Sequence, residues 1–286
     1  MMKRIYTLIQ YQFIGRLIRK FFSRASILPF SKNKKLARDL NFSLFADVDS
    51  IPQQDLQRFR ERMLYYCRKL CYTPEYTKSW MEHVPRLYLT LQWLKVIVNN
   101  QDQGCIVVEA GGETVVTHLF KEYFPQVKWL LTQGDLRYDW GLVEHTADII
   151  LATEVIEHLA DPPQGFQESF EMLGLKNFLK LSHQILKPNG MLFMTTPNSS
   201  SIVILKSILN GFAPRFFVRH VYEYCLPELI PLLQNHGFSI VKAKTIHCLT
   251  AHYREDYTPV YNMLLQHQYE TRDRGDDIFI VAQKNR

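Results

Sequence analysis

Nowhere in its 286 residues does the chain hold an apolar stretch near the roughly 18 residues that a membrane-spanning helix needs. A secretory leader, with its apolar core of about 7–15 residues and small-residue cleavage site, is not evident either. Cysteine is sparse: Cys67, Cys71, Cys105, Cys225 and Cys248 are odd in number, scattered and mostly set in apolar runs. With no CxxC pair, a disulfide framework and a zinc ribbon are poor readings, and reduced, buried thiols in a cytosolic setting are expected. Cys67 and Cys71, four apart, are expected to share a helix face as packed thiols. No P-loop and no HExxH is present, which argues against a kinase and a zinc protease. Glycine, at 12 residues, is too thin at its most suggestive site, Gly111-Gly112, to complete a dinucleotide fingerprint.

Acidic residues are absent before Asp39, whereas ten basic residues precede it. The net charge of +6 therefore belongs to the N-terminal segment, since the remainder carries 24 basic against 28 acidic residues. An isoelectric argument for nucleic-acid binding loses its force, and nucleic acid is not an expected partner. The first 30 residues place Ile5, Leu8, Ile9, Phe13, Ile14, Leu17, Ile18, Phe21 and Phe22 at helical spacing, with Arg and Lys between. Peripheral contact of residues 1–30 with a membrane surface, a helix docked on the body and an organellar presequence are all compatible with that pattern.

Residues 31–52 are polar, end at Pro52 and read as a linker, making 1–52 a basic amphipathic segment plus linker. Residues 53–103 read as a helical region, from three- and four-residue apolar spacing. From 104 onward, apolar strands ("CIVVEA", "VKWLLTQ", "ADIILATE", "MLFMTTP", "SIVKAKTI", "DIFIVAQ") alternate with amphipathic helices over 113–124, 165–186 and 226–236. Such alternation predicts an α/β fold of the Rossmann-like, doubly wound kind, with a mostly parallel sheet. The last two strands, after Gly237, suit an antiparallel C-terminal edge.

Four stretches in order carry chemistry: "VVEAGG", "ADIILATEVIEHLADP", "LSHQILKPNGMLFMTTPNS" and "RHVYEYCLPELIPLLQNHGF". Together they resemble class I S-adenosylmethionine-dependent methyltransferases, specifically the group of ubiquinone-type and sugar- or polysaccharide-pathway enzymes with "EVIEHL" and "TTPN" segments. The resemblance covers about residues 104–286, the expected methyltransferase domain. It implies S-adenosylmethionine as cofactor and a small-molecule acceptor, methylated on oxygen in preference to nitrogen.

The residues have their own reading. In an open parallel sheet the ligand lies outside the carboxyl ends of the strands. Gly111 and Gly112 permit close backbone approach, and Glu109, just before them, can accept from an ammonium group. The resemblance implies that this loop touches the methionine part of the cofactor; a plain turn using one glycine is the alternative. Glu113 and Val115 stand where a fuller loop keeps glycines, and Val115 is expected to narrow the space there. If the thinned loop no longer holds cofactor, a non-catalytic binding or scaffold protein of the same fold is the reading left. Asp135, separated from Gly112 by 22 residues, is the candidate acceptor for ribose hydroxyls or a residue near the adenine; a turn-capping aspartate fits as well. That short interval also implies that the further helix and strand usual before the next motif are shortened or absent.

Glu154 is expected at a strand end, as a cofactor contact, with Glu157 and His158 on one face of the following turn. Carboxylates and an imidazole at the mouth of a sheet suit acid–base work, so Glu157, His158 and His220 are the catalytic candidates. A similar two-Glu, two-His set holds a divalent metal in small-RNA 2′-O-methyltransferases, which keeps a metal-assisted RNA reading as an alternative; no metal is the expectation. Lys187 suits a helix end and Gly190 the positive φ of a turn. Asn198, after its strand, is expected within reach of the substrate, and the resemblance implies that His220, Tyr222 and Glu223 face the active-site mouth.

Overall fold

The computed structural model describes residues 45–101, 104–161, 171–249 and 255–285. The amphipathic segment 1–30, with its expected membrane contact, lies outside the described residues. Nine α-helices among the described residues are α1 (Ala46–Asp49), α2 (Gln53–Lys69), α3 (Pro74–Glu82), α4 (Val84–Asn99), α5 (Val115–Tyr123), α6 (Leu173–Ile185), α7 (Ile202–Leu209), α8 (Leu226–Asn235) and α9 (Thr258–Gln266). The strands are β1 (Ile106–Glu109), β2 (Lys128–Leu131), β3 (Ala147–Thr153), β4 (Leu186–Pro197), β5 (Phe238–Ile246) and β6 (Asp277–Lys284).

The six strands form one sheet in the order β2-β1-β3-β4-β6-β5. The pairs β1–β2, β1–β3 and β3–β4 are parallel. β6 runs antiparallel to both β4 and β5 and lies between them, so β5 forms the outer margin. At the other margin β2 is only four residues long and begins with Lys128, a charge that blunts an open edge. β2 leads directly to β3, which pairs on the far side of β1. The further strand and helix are thus absent, as the short spacing to Asp135 implied.

Side chains alternate along each buried strand. Val107, Ile149, Leu151, Phe193, Phe279 and Val281 face one layer, where Leu87, Leu91 and Leu94 of α4, Phe59 and Met63 of α2, and Val116 and Phe120 of α5 cover them. Val108, Ile150, Leu192, Met194, Ile278 and Ile280 face the other, packed against Phe178 and Leu179 of α6 and Leu229 and Leu233 of α8. Full burial of a side chain of this size stabilises by about 1.5–3 kcal/mol, and both faces hold many. A smaller cluster joins Ile202 of α7 to Tyr257, Val260, Tyr261 and Leu264 at α9.

The helical region divides more finely than its periodicity suggests. Thr73 caps α3 by accepting from the Tyr76 N–H, with Pro74 in the first turn. His83 then separates α3 from α4, whose first turn contains Pro85. A proline there lacks only an N–H that would have had no partner, so it favours a fresh helix over a continuation. In the expected linker, α1 packs Val48 and the following Ile51 into the core.

Two local readings are corrected. Cys71 lies beyond the end of α2 at a φ of 56° and is exposed, so it does not share a helix face with the buried Cys67. The positive φ near the β4 turn falls on Asn189, at 64°, and not on Gly190. Gly190 is required for space, because a Cβ there would stand 3.0 Å from the Lys187 carbonyl and 3.2 Å from that of Asp148.

Candidate active site

β1 has β2 on one side and β3 on the other, so the chain leaves the sheet in opposite directions at the carboxyl ends of β1 and β3. A doubly wound sheet opens its ligand crevice at such a switch point. A cavity of about 750 Å³ occupies this position, floored by the ends of β1 and β3 and walled by α3, α4 and the 216–220 segment.

The glycine turn forms its first edge. Gly111 and Gly112 have φ of 111° and 91°, a region costly for any residue with a Cβ. A Cβ on Gly111 would also press on Val155 Cγ2 at 3.2 Å, whereas one on Gly112 would meet nothing within 4 Å. α5 starts immediately after, capped by Thr114, whose Oγ1 accepts from the Val116 N–H while Thr117 Oγ1 accepts from the Thr114 N–H. Thr114 and Val116 line the cavity; Glu113 and Val115 do not. Val115 is fully buried in the core beneath the loop. Glu113 is half exposed and directed to His118 and Lys121 at 3.5 and 3.7 Å. The expected narrowing by Val115 is therefore not found, and the loop presents its backbone to the cavity.

Glu109, at the end of β1, is buried with Oε2 lacking a hydrogen-bond partner. Burial pushes its carboxyl up to about 7, offset by a hydrogen bond from Thr117. At the end of β3, Glu154 sits at a φ of 55°, a strained conformation for a non-glycine residue. Its carboxylate is held from two sides: Oε1 accepts from Thr195 Oγ1 at 2.9 Å, and Oε2 pairs with Arg86 of α4 at 2.5 Å. Arg86 also faces Asp277 at 3.6 Å, is buried, and leaves its Nε–H without a partner. Among the described residues lining the cavity, it is the one lysine or arginine.

The single-turn 3₁₀ helix Ile156–His158 sets the next group. Glu157 is fully buried; Thr196 Oγ1 donates to its Oε2 at 2.9 Å, and Oε1 has no hydrogen-bond partner, with His158 Nε2 4.0 Å away. Burial, then the neighbouring Glu154, holds its carboxyl well above the usual range, so it tends to keep its proton. Its backbone carbonyl accepts from the Val221 N–H at 2.8 Å, which docks the late loop against this turn. His220 arrives with that loop, its ring edge-on to His158 with centroids 4.9 Å apart. Burial and then His220 push His158 down from its ordinary value. The ligating atoms of Glu157, His158 and His220 lie within 4.8 Å of one another, close enough to share one cation.

The three catalytic candidates thus come together, and Glu109, Gly111, Gly112 and Glu154 line the same cavity. Asp135 is placed outside this lining: its carboxylate forms a two-oxygen clasp with Arg137, at 2.6–3.1 Å, which holds its pKa below the ordinary value. Its neighbour Leu136 is the lining residue there. Asn198 is spent on structure, donating to the carbonyls of Asp273 and Gly275 at 2.9 and 2.7 Å. Tyr222 donates to Glu228 of α8, and neither it nor Glu223 lines the cavity.

Sequence reasoning missed the wall opposite the sheet. Trp80, His83 and Arg86 lie three residues apart across the α3–α4 junction, and all three line the cavity. Each has a buried polar atom without a partner: Trp80 Nε1, His83 Nδ1 and Arg86 Nε. Burial, then the charge of Arg86, depresses His83 to about 3, so it is a neutral imidazole. The available signal was that three-residue spacing of polar groups on an otherwise apolar stretch.

Comparison with known proteins adds relatives for this site. The chain is 29% identical over 102 residues to the mitochondrial ubiquinone biosynthesis O-methyltransferase of Bos taurus, a stretch covering 33% of this chain and 24% of the relative. The Homo sapiens protein of that name aligns at 29% identity over 109 residues, 35% of this chain and 26% of the relative. The chain thus spans about a quarter of the length of these curated relatives. Among solved structures, a SAM-dependent methyltransferase from Archaeoglobus fulgidus superposes with a TM-score of 0.46 at 18% identity, over 69% of this chain and 94% of that one. A possible histamine N-methyltransferase from Thermotoga maritima gives 0.44 at 14%, over 78% and 100%. The sequence model of a methyltransferase domain family matches residues 77–243, from the Trp80–His83–Arg86 wall through the glycine turn and the Glu157–His158–His220 group into β5, and with more than half its length inside that match this chain belongs to the methyltransferase domain family.

Proposed function

We propose that this protein transfers a methyl group from S-adenosylmethionine to an oxygen, in preference to a nitrogen, of a small acceptor such as a sugar or a lipid-linked intermediate. The observation that carries this reading is one cavity holding both an unobstructed glycine turn and a Glu157–His158–His220 group. The relatives above, named for O-methylation, support oxygen as the acceptor atom.

The residues present fit the cofactor. Gly111 and Gly112 offer backbone where any Cβ would be strained. Two buried polar atoms without partners, Glu109 Oε2 and Arg86 Nε, suit an ammonium and a carboxylate respectively. When bound, S-adenosylmethionine supplies an electrophilic methyl group. The chain's own work is to hold the acceptor in line and remove its proton. We assign that proton transfer to His220 and His158, with Trp80, Phe216 and Phe217 giving the cavity an aromatic rim.

Calorimetric titration with S-adenosylmethionine tests this reading. Micromolar binding, abolished by Gly111→Arg, is expected. Absence of binding at millimolar concentration would leave the scaffold reading in its place. A second reading is favoured by the 4.8 Å cluster: a divalent cation held by Glu157, His158 and His220 would assist deprotonation. Methylation indifferent to EDTA would remove it. Lipid-linked acceptors lose their support if deleting residues 1–30 leaves liposome binding unchanged.

A further inference from the structure

The cavity owes the form of His220 to a residue outside it. Glu223 follows His220 by three residues, and its side chain is 4% exposed. Its Oε1 lies 2.6 Å from His220 Nδ1 and also accepts from the backbone N–H groups of Phe216 and Phe217, at 2.7 and 3.2 Å. Three donors therefore converge on one carboxylate oxygen. An oxygen already accepting two backbone N–H bonds acts as an acceptor toward the ring as well, so Nδ1 carries a proton, and in the neutral ring the lone pair then lies on Nε2. The two aromatic residues that share this oxygen, Phe216 and Phe217, line the cavity beside His220. On the far side, the loop is fixed by the Val221 and Tyr222 N–H groups on the Glu157 carbonyl, at 2.8 and 3.3 Å.

We propose that Glu223 is the positioning residue of this site: one carboxylate fixes His220 as the Nδ1–H tautomer, leaving Nε2 to accept a proton, and ties down the Phe216–Phe217 rim of the cavity. This role rests on the methyl-transfer reading. It adds a specific division of labour, in which the base and the rim are set by a single group, so a change in that group alters both together. The glutamine isostere retains an acceptor oxygen for all three donors, whereas alanine removes it.

The test is ¹⁵N nuclear magnetic resonance of the histidine rings at neutral pH in the full chain, with His220→Asn supplying the assignment. S-adenosylhomocysteine titrations run on the same samples. Wild type and Glu223→Gln should show His220 protonated at Nδ1 and bare at Nε2. Glu223→Ala should show a mixture of tautomers or the reverse one. A His220 signal in Glu223→Ala identical to wild type overturns the proposal. So does a wild-type ring bare at Nδ1, which decides the matter even where the alanine variant does not fold. Failure of all three proteins to bind S-adenosylhomocysteine instead overturns the methyl-transfer reading, and with it the purpose assigned to the tautomer.

Discussion

Arg86 Nη1 and Glu154 Oε2 stand 2.5 Å apart across the seam between α4 and the end of β3, and the arginine is buried. Asp277, at the start of β6, completes the group at 3.6 Å. Removing one member of a buried charge group leaves the others uncompensated, typically at a cost of about 3–5 kcal/mol. Arg86→Met should therefore lower stability by about that amount in urea unfolding. Glu154→Gln in the same background should recover part of it, because one of the two stranded carboxylates is neutralised. A variant as stable as wild type would mean that the ion group carries no net stabilisation.

The carboxyl of Glu109 gives the molecule a pH dependence opposite to that of an ordinary paired acid. Its folded pKa, raised to about 7, lies above the usual carboxylate value, so the folded state holds the proton more tightly. The associated stability is present below the unfolded pKa of about 4.3 and is lost as pH rises through about 7. Glu109→Gln should remove this slope: relative to wild type it gains stability steadily across that window and no further above it. Urea midpoints at half-unit pH steps would show it. An ammonium-bearing ligand should also displace the proton, making the heat of S-adenosylmethionine binding near pH 6.5 depend on the buffer's ionisation enthalpy in wild type and not in Glu109→Gln.

His83 produces the acid limb. Its folded value, about 3, is below the ordinary 6.5, so unfolding takes up a proton anywhere between the two. Stability contributed by the neutral ring is present above about 6.5 and falls as pH drops toward 3. Replacement by Gln, which cannot charge, should flatten stability over that interval, measured again by urea midpoints. An unchanged acid slope would place the titrating group elsewhere.

The two glycines of the turn separate strain from crowding. Gly112→Ala meets only an unfavourable φ, of order 1 kcal/mol. Gly111→Ala adds the 3.2 Å contact with Val155 Cγ2 and should cost visibly more, in thermal stability and in S-adenosylmethionine affinity alike. Equal losses at the two positions would argue that the contact with Val155 relaxes freely.

Much of this was legible because the strands are continuous apolar runs and the turns carry their own markers. β1, β3, β4, β5 and β6 lie where the hydrophobic runs place them, and even the missing strand–helix unit could be inferred from the interval between Gly112 and Asp135. Side-chain direction was less accessible. Val115 reads as an obstruction in a linear motif and Glu113 as a lost glycine, but a helix capped by Thr114 turns the first into the core and the second toward His118. Asn198 follows a strand end, yet the carbonyls of Asp273 and Gly275, some 75 residues away in the chain, claim its amide. Arg86 shows the same limit: its partners Glu154 and Asp277 come from two distant strands, and no local pattern announces them.

At the margin of the sheet, β2 has a partner on one side only. Its pairing with β1 nevertheless reaches the site, because it brings Thr132 to where Oγ1 accepts from the Gly111 N–H at 3.3 Å. The crevice between β1 and β3 begins one strand further in. The rim of the sheet is thus also a side wall of the crevice, and slackness at β2 would be felt at the glycine turn.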